Sequence, residues 1–286
     1  MWLTLALISA LLLGLYDISK KKALDKNSPL VVLLVVTGLS TIFLSPCLFL
    51  YGGDFRAHLM LIVKALIVSS SWISGIIALK LLPITTVSPV KATRPFFVVL
   101  FSLIIFGERL NALQWTGVSL ALLSILLMSL SSKHDSNGEN SLKGWIALAV
   151  SIVTGVISAL YDKHIIGGLE PLFIQSWGNL YITLILAICI VLRCAVERSS
   201  LRDAFTIRWD VMMLLTAILI TGADMSYFFA LKQEGALLSI ISIMRRCSVI
   251  VTFVFGAIVF KEKNIRRKAA ILSILLAGMI FMMIGS

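Results

Sequence analysis

Runs of about twenty apolar residues follow one another down this whole chain, separated only by short polar connections. Each run is long enough to cross a ~30 Å hydrocarbon layer at ~1.5 Å per residue. A soluble core of 286 residues needs neither 59% hydrophobic residues nor a mean hydropathy of +1.02. Inside lipid the backbone must satisfy its own hydrogen bonds, and these runs are rich in Leu, Ala and Ile without strand-like alternation. They therefore predict helices rather than a barrel. The expected fold class is all-α and integral to a membrane, most simply a bacterial inner membrane.

Composition excludes several other classes. The opening "MWLTLALISALLLGLYDISKKKAL" has no basic residues ahead of its apolar part and no small-residue cleavage site after it, so it reads as a retained first span. The four cysteines lie in or beside apolar runs without C-x-x-C spacing, as small hydrophobes do. The net charge of +11 sits mainly in the connections, where it fits membrane orientation and anionic headgroups better than nucleic acid. The three histidines lack a partner at metal-ligating spacing, and there is no glycine-rich phosphate loop. Neither an enzyme, a cofactor nor a metal is expected.

Ten spans are expected, at roughly 2–22, 30–50, 59–80, 85–106, 112–131, 144–166, 172–193, 210–231, 236–259 and 268–284. The one polar linker, "SSKHDSNGENSLKG", divides five from five, giving repeats at 1–130 and 144–286 around a linker at 131–143. The halves resemble each other. "GLYDISKKKAL" is answered by "ALYDKHIIGGL", pairing Tyr16-Asp17 with Tyr161-Asp162. "IIALKLLPITTVSPVKATRPFFVVLFSLIIFGERL" is answered by "FFALKQEGALLSIISIMRRCSVIVTFVFGAIVFKEKN", which sets Lys91 opposite Arg245 and Glu108 opposite Glu262. Five is odd, so the repeats must lie inverted in the membrane, a common plan of secondary transporters.

These motifs, in this order, resemble the ten-helix EamA-type permeases of the drug/metabolite transporter superfamily over essentially the full length. The resemblance implies secondary transport but names no substrate, because that superfamily carries amino acids, sugars, nucleotide sugars, phosphorylated sugars and drugs. It also implies cytosolic termini. The basic loops imply the reverse: Lys20 to Lys26, Lys133, Lys143, Arg193 to Arg208 and Lys261 to Lys268 share one side. The positive-inside rule places that side in the cytoplasm and both termini outside.

The span around "SIISIMRRCSVIV" carries Arg245 and Arg246 about ten residues from its start. A charge near a helix centre costs on the order of 2.5–3.5 kcal/mol on insertion scales, so such a pair must face a wet cavity, a carboxylate or a ligand. Adjacent residues stand ~100° apart on a helix, so one arginine is expected to face the cavity and the other to brace a carboxylate. The matching span carries Lys91 and Arg94, three apart and on one helix face, bracketed by Pro89 and Pro95. Two related helices that aim cations inward suit phosphate or carboxylate oxygens. The bland alternative is internal pairing, since Asp17, Asp162 and Asp224 also lie in apolar spans and are the candidates for proton coupling.

"MRRCSVIV" further resembles the basic pair in span nine of triose-phosphate and nucleotide-sugar translocators, which implies phosphate ligation by Arg245 and Arg246. Tyr16, Gln175 and Asn179 are expected to bind the organic body of a substrate; Gln175 and Asn179, four apart, share a face. Lys64, Lys80 and Lys232 read as snorkelling charges near span ends, and Glu108 and Glu262 as structural or gating residues. The expected function is a carrier of a small organic anion, by alternating access through a central cationic cavity. A flippase for a phosphorylated lipid and an exporter of amino acids or other zwitterions are the alternatives. The expected partners are that small-molecule substrate and membrane lipid, not nucleic acid, with a homodimer left open.

Overall fold

The computed structural model describes residues 1–24, 27–82, 87, 90–91, 93–131, 142–197, 208–248, 250–251 and 265–285. Most of the central linker, the second half of the ninth expected span, Pro89 and Glu262 lie outside the described residues. Every element among the described residues is a helix: α1 (Trp2–Leu24), α2 (Pro29–Phe43), α3 (Ser45–Leu50), α4 (Phe55–Leu81), α5 (Arg94–Ile105) and α6 (Ala112–Ser131), then α7 (Leu142–Ile166), α8 (Pro171–Glu197), α9 (Val211–Lys232), α10 (Leu238–Arg246) and α11 (Ile265–Ile284). Of these α1, α4, α7, α8 and α9 are long and apolar enough to cross a bilayer, and α2, α5, α6 and α11 contribute shorter apolar helices.

The outer faces are consistent with a lipid surround. Large apolar side chains such as Phe49 (90% exposed), Phe55 (85%) and Ile104 (68%) are left exposed. In water this surface would drive aggregation; in lipid it is the required one.

Three expected spans are interrupted, each for a local reason. The second bends at Leu44, because Pro46 stands in the first turn of α3 and cannot donate to the turn before it. In the fourth, α5 starts only at Arg94, with Pro95 in its first turn. In the ninth, α10 stops at the arginine pair. The Cys247 N–H bonds to Met244 O, an i→i−3 tightening, and Ile250 N repeats it on Cys247 O.

Packing follows polar contacts between helices. α4 and α7 lie antiparallel, fastened where Ser71 and Ser151 each donate to the other's carbonyl, at 2.9 and 2.8 Å. α1 and α9 run antiparallel as well, held by Ser9 to Ala223 O at 2.7 Å and by Thr216 to Ser19 at 3.0 Å. Further contacts join α1 to α10 and α5 to α7, α2 to α9 and α4 to α8, with α2 on α8, α5 on α10 and α6 on α11. α10 runs through the middle, with Ile240, Ile241, Ile243 and Met244 fully buried.

The α6–α11 crossing is backbone against backbone. A Cβ on Gly117 would lie 2.6 Å from Gly278 O, and one on Gly278 would lie 2.7 Å from Gly117 O. Nearby, Ser124 Oγ donates to Ile271 O at 2.6 Å. Small residues permit this approach, which van der Waals packing then rewards in a solvent that offers no hydrophobic drive.

Candidate functional site

The break at the end of α10 places both arginines where a helix C-terminus meets the middle of the bundle. The carbonyl end of a helix dipole favours cations, typically by ~0.3–1 kcal/mol. Their surroundings then diverge. Arg245 Nη2 donates to Asp224 Oδ1 at 2.6 Å, and its guanidinium lies 4.2 Å from the centroid of the Tyr227 ring. Arg246 is exposed. The charges that act on it are Arg245 and Asp17, and it acts in turn on Lys91 and Arg94. Arg246 therefore stands among charges from α1 and from the segment that leads into α5.

Lys91 and Arg94 do not share one helix face. Lys91 precedes α5, and its Nζ packs over Gly75 of α4, 2.6 Å from where a Cβ there would sit. Arg94 donates to Gly155 O of α7, and a Cβ on Gly155 would fall on its guanidinium. Pro95 is the physical reason: it starts a new helix at Arg94 and separates the two directions. Both glycines act as sockets that admit a cation against a neighbouring helix.

Lys64 is not a snorkelling residue. It is 5% exposed, and its Nζ lies 2.8 Å from Asp162 Oδ1 and 3.9 Å from the Phe228 ring centroid. The Tyr227 hydroxyl donates to Asp162 Oδ2 at 3.4 Å, so one phenol touches both ion pairs. Asp17 faces a softer field, from Lys20 and Arg246. Lys20, read in the sequence as part of a basic loop, stands 5.1 Å from the Tyr16 ring centroid and acts on Lys91. Among the described residues, six cations (Lys20, Lys64, Lys91, Arg94, Arg245, Arg246) thus share this centre with three carboxylates. Lys232, in contrast, stands near a helix end, 3.7 Å from Glu170.

Beside the ion pairs lies a narrow pocket between α1, α2, α4, α8 and α9. Tyr16, Trp72, Gln175, Asn179 and Asp224 line it, with Thr37, Ser40 and Thr221. Gln175 and Asn179 do share a face here. Trp177 and Tyr161 are occupied elsewhere: Trp177 Nε1 donates to Tyr51 O at 3.0 Å, and the Tyr161 hydroxyl to Met60 O at 3.2 Å.

At the end where α9 turns into α10, Glu108 caps the new helix. Leu237, the N-cap of α10, offers no side-chain oxygen. Glu108 supplies it from the end of α5, accepting from Leu238 N at 2.6 Å, Ser239 N at 3.1 Å and Ser239 Oγ at 2.5 Å. A carboxylate there meets the positive end of the helix dipole. Elsewhere, at the start of α4, His58 packs edge to face against Phe173, Trp177 and Tyr181 of α8, with the Tyr181 hydroxyl 2.9 Å from His58 Nδ1. Among the described residues no three His, Cys, Asp or Glu gather to hold a metal.

Fold and site together define a multi-pass helical membrane protein with a charged, cation-rich centre. Residues 1–130 match the sequence model of the EamA-like transporter family. A solved crystal structure, described only as that of a protein, is similar at a TM-score of 0.77 and 12% identity, over 98% of this chain and 95% of that one. At that identity the likeness speaks for the fold alone. Comparison with curated proteins finds no match.

Proposed function

We propose that this chain is a secondary transporter that moves a small organic anion through its central cleft by alternating access between two inverted five-helix repeats. The family match over residues 1–130 supports the transporter class. The packing supports the repeats. Exchanging the first five expected spans with the last five turns the α1–α9 contact into α7–α4, α1–α10 into α7–α5, and α2–α9 into α8–α4, each of which occurs. The second half would then be a repeat equivalent to residues 1–130, joined through the linker at 131–143.

One observation carries the choice of anion: the centre holds six cations against three carboxylates, and Arg246 is exposed there. Pairing alone leaves positive charge over, on side chains that are partly buried or exposed. Phosphate or carboxylate oxygens would supply the missing negative charge, with Arg246, Lys91 and Arg94 as ligands and Arg245 braced by Asp224. In this reading Asp224 and Asp17 are free to exchange partners during the cycle, whereas Asp162 is locked to Lys64. The basic loops favour a cytoplasmic face at the end opposite Glu108.

A thermal-shift screen of the purified protein against phosphorylated and carboxylated metabolites tests this, because a ligand of the folded state raises its melting temperature. Arg246→Ala should abolish both the shift and uptake into proteoliposomes while leaving the unliganded melting temperature nearly unchanged. Normal uptake by both Arg245→Ala and Arg246→Ala would sink the anion site.

A lipid-linked substrate is the second reading. An apolar pocket lined by Thr93, Phe96, Phe97, Leu122 and Leu126 opens between α5 and α6, one residue from Arg94. It would suit an acyl or prenyl tail whose phosphate reaches the cations. A thermal shift from phosphorylated lipid alone, with none from soluble phosphates, would select this reading.

A further inference from the structure

The narrow pocket beside Asp224 is rich in oxygen atoms and holds no basic side chain, unlike the cation-rich centre next to it. Gln175 is 3% exposed, and its Nε2 donates to Thr221 O at 3.0 Å, which leaves Oε1 buried with no partner. An orphaned buried acceptor of this kind needs a donor or a cation. The hydroxyls around it have none to give. Thr37 Oγ1 donates to Leu33 O at 2.9 Å, Ser40 Oγ to Val36 O at 2.9 Å and Thr221 Oγ1 to Ala217 O at 2.7 Å. A hydroxyl has one proton, so each is left with lone pairs. Asp224 adds a carboxylate of which Arg245 holds only Oδ1.

We propose that this pocket binds a single monovalent inorganic cation, coordinated by oxygens drawn from Gln175, Thr37, Ser40, Thr221 and Asp224. Hard cations take oxygen ligands, and a site with one carboxylate, already shared with an arginine, lacks the charge that divalent ions require. Room for roughly one water-sized occupant fits such an ion. A water molecule would satisfy Gln175 Oε1 through one of its protons, and exchange of NaCl or KCl for choline chloride separates the two occupants.

The position gives the ion a role that rests on the anion-carrier reading. A cation beside Asp224 takes over part of the carboxylate's charge and loosens its hold on Arg245, which then becomes available to the anion. Cation and anion would each strengthen the other's binding by the same factor. The binding itself does not depend on transport and is measured without it.

The experiment uses purified full-length protein in detergent, with melting temperature and tryptophan fluorescence followed as NaCl or KCl replaces choline chloride at constant ionic strength. A saturable rise with Na+ or K+ above choline is expected, and Gln175→Leu should weaken its half-saturation by about tenfold. If Gln175→Leu does not fold, Ser40→Ala, which removes only one oxygen, should weaken it in the same direction. Identical curves for NaCl, KCl and choline chloride would overturn the site, as would unchanged half-saturation in a folded Gln175→Leu. Stabilisation by methylammonium chloride without any by Na+ or K+ would also overturn it, assigning the pocket to an organic ammonium. Cation binding with no anion transport would leave the site standing and remove the carrier reading.

Discussion

Replacing Lys64 by Met tests whether the Lys64–Asp162 pair is a structural lock or part of the carrier's cycle. The charges stand 2.8 Å apart, and the two residues are 5% and 7% exposed. At an effective dielectric of about 20, two unit charges at that distance attract by roughly 6 kcal/mol, and desolvation of several kcal/mol per ion offsets most of it. Lys64→Met keeps the length and apolar bulk of the side chain but leaves Asp162 buried without its cation. Breaking a buried pair in this way costs about 3–5 kcal/mol, against a total stability of about 5–15 kcal/mol. The single variant should therefore melt far below the parent. The double variant Lys64→Met/Asp162→Asn removes both charges, keeps an acceptor for Tyr227, and should recover most of the loss. Melting curves in detergent and uptake in proteoliposomes read the two outcomes separately. A stable double variant with normal transport makes Asp162 structural; a stable one without transport makes it a coupling group. The reasoning fails if Lys64→Met is as stable as the parent, or if the double variant melts no higher than that single one.

Glu108→Ala removes three hydrogen bonds to the start of α10 and should cost about 2 kcal/mol, while Glu108→Gln should cost less. Thermal melting checks the order, and faster labelling of a cysteine placed at Ser239 should accompany the loss if Glu108 holds that end shut. Gly155→Ala sets a methyl group on the Arg94 guanidinium and should weaken anion binding by about tenfold, at a stability cost of about 1–3 kcal/mol. Isothermal titration with the anion found by thermal shift measures the first, and chemical denaturation the second.

Much of the helical architecture is legible in the sequence, because an apolar run must become a helix in lipid. The interruptions are legible too once Pro46 and Pro95 are taken as boundaries rather than kinks. Arg245, Arg246, Lys91, Arg94 and the three aspartates stand out because each is a charge in hydrocarbon. Lys64 carries the same signal, nine residues into α4, but in the sequence it has the same look as a snorkelling residue. What reassigns it is Asp162 on α7, from the other half of the chain, and such contacts leave no periodicity to read. Lys20 is hidden for a related reason: α1 runs on past it to Leu24, so a residue with the sequence of a loop lies on a helix. Glu108 was placed correctly at a helix end, but its partner is the N-terminus of α10, 130 residues away. Backbone donors carry no sequence signature.

The crossing of α6 and α11 has a mechanical consequence. Where Gly117 and Gly278 meet, backbone lies on backbone, with the Met282 and Leu120 side chains packed against the contact. Interfaces built of side chains alone have many alternative rotamers; this one has few. Its two helices come from opposite ends of the chain, so if the proposed alternating access holds, this junction is expected to move least and to serve as the pivot. The displacement of any other helix would then grow with its distance from that point.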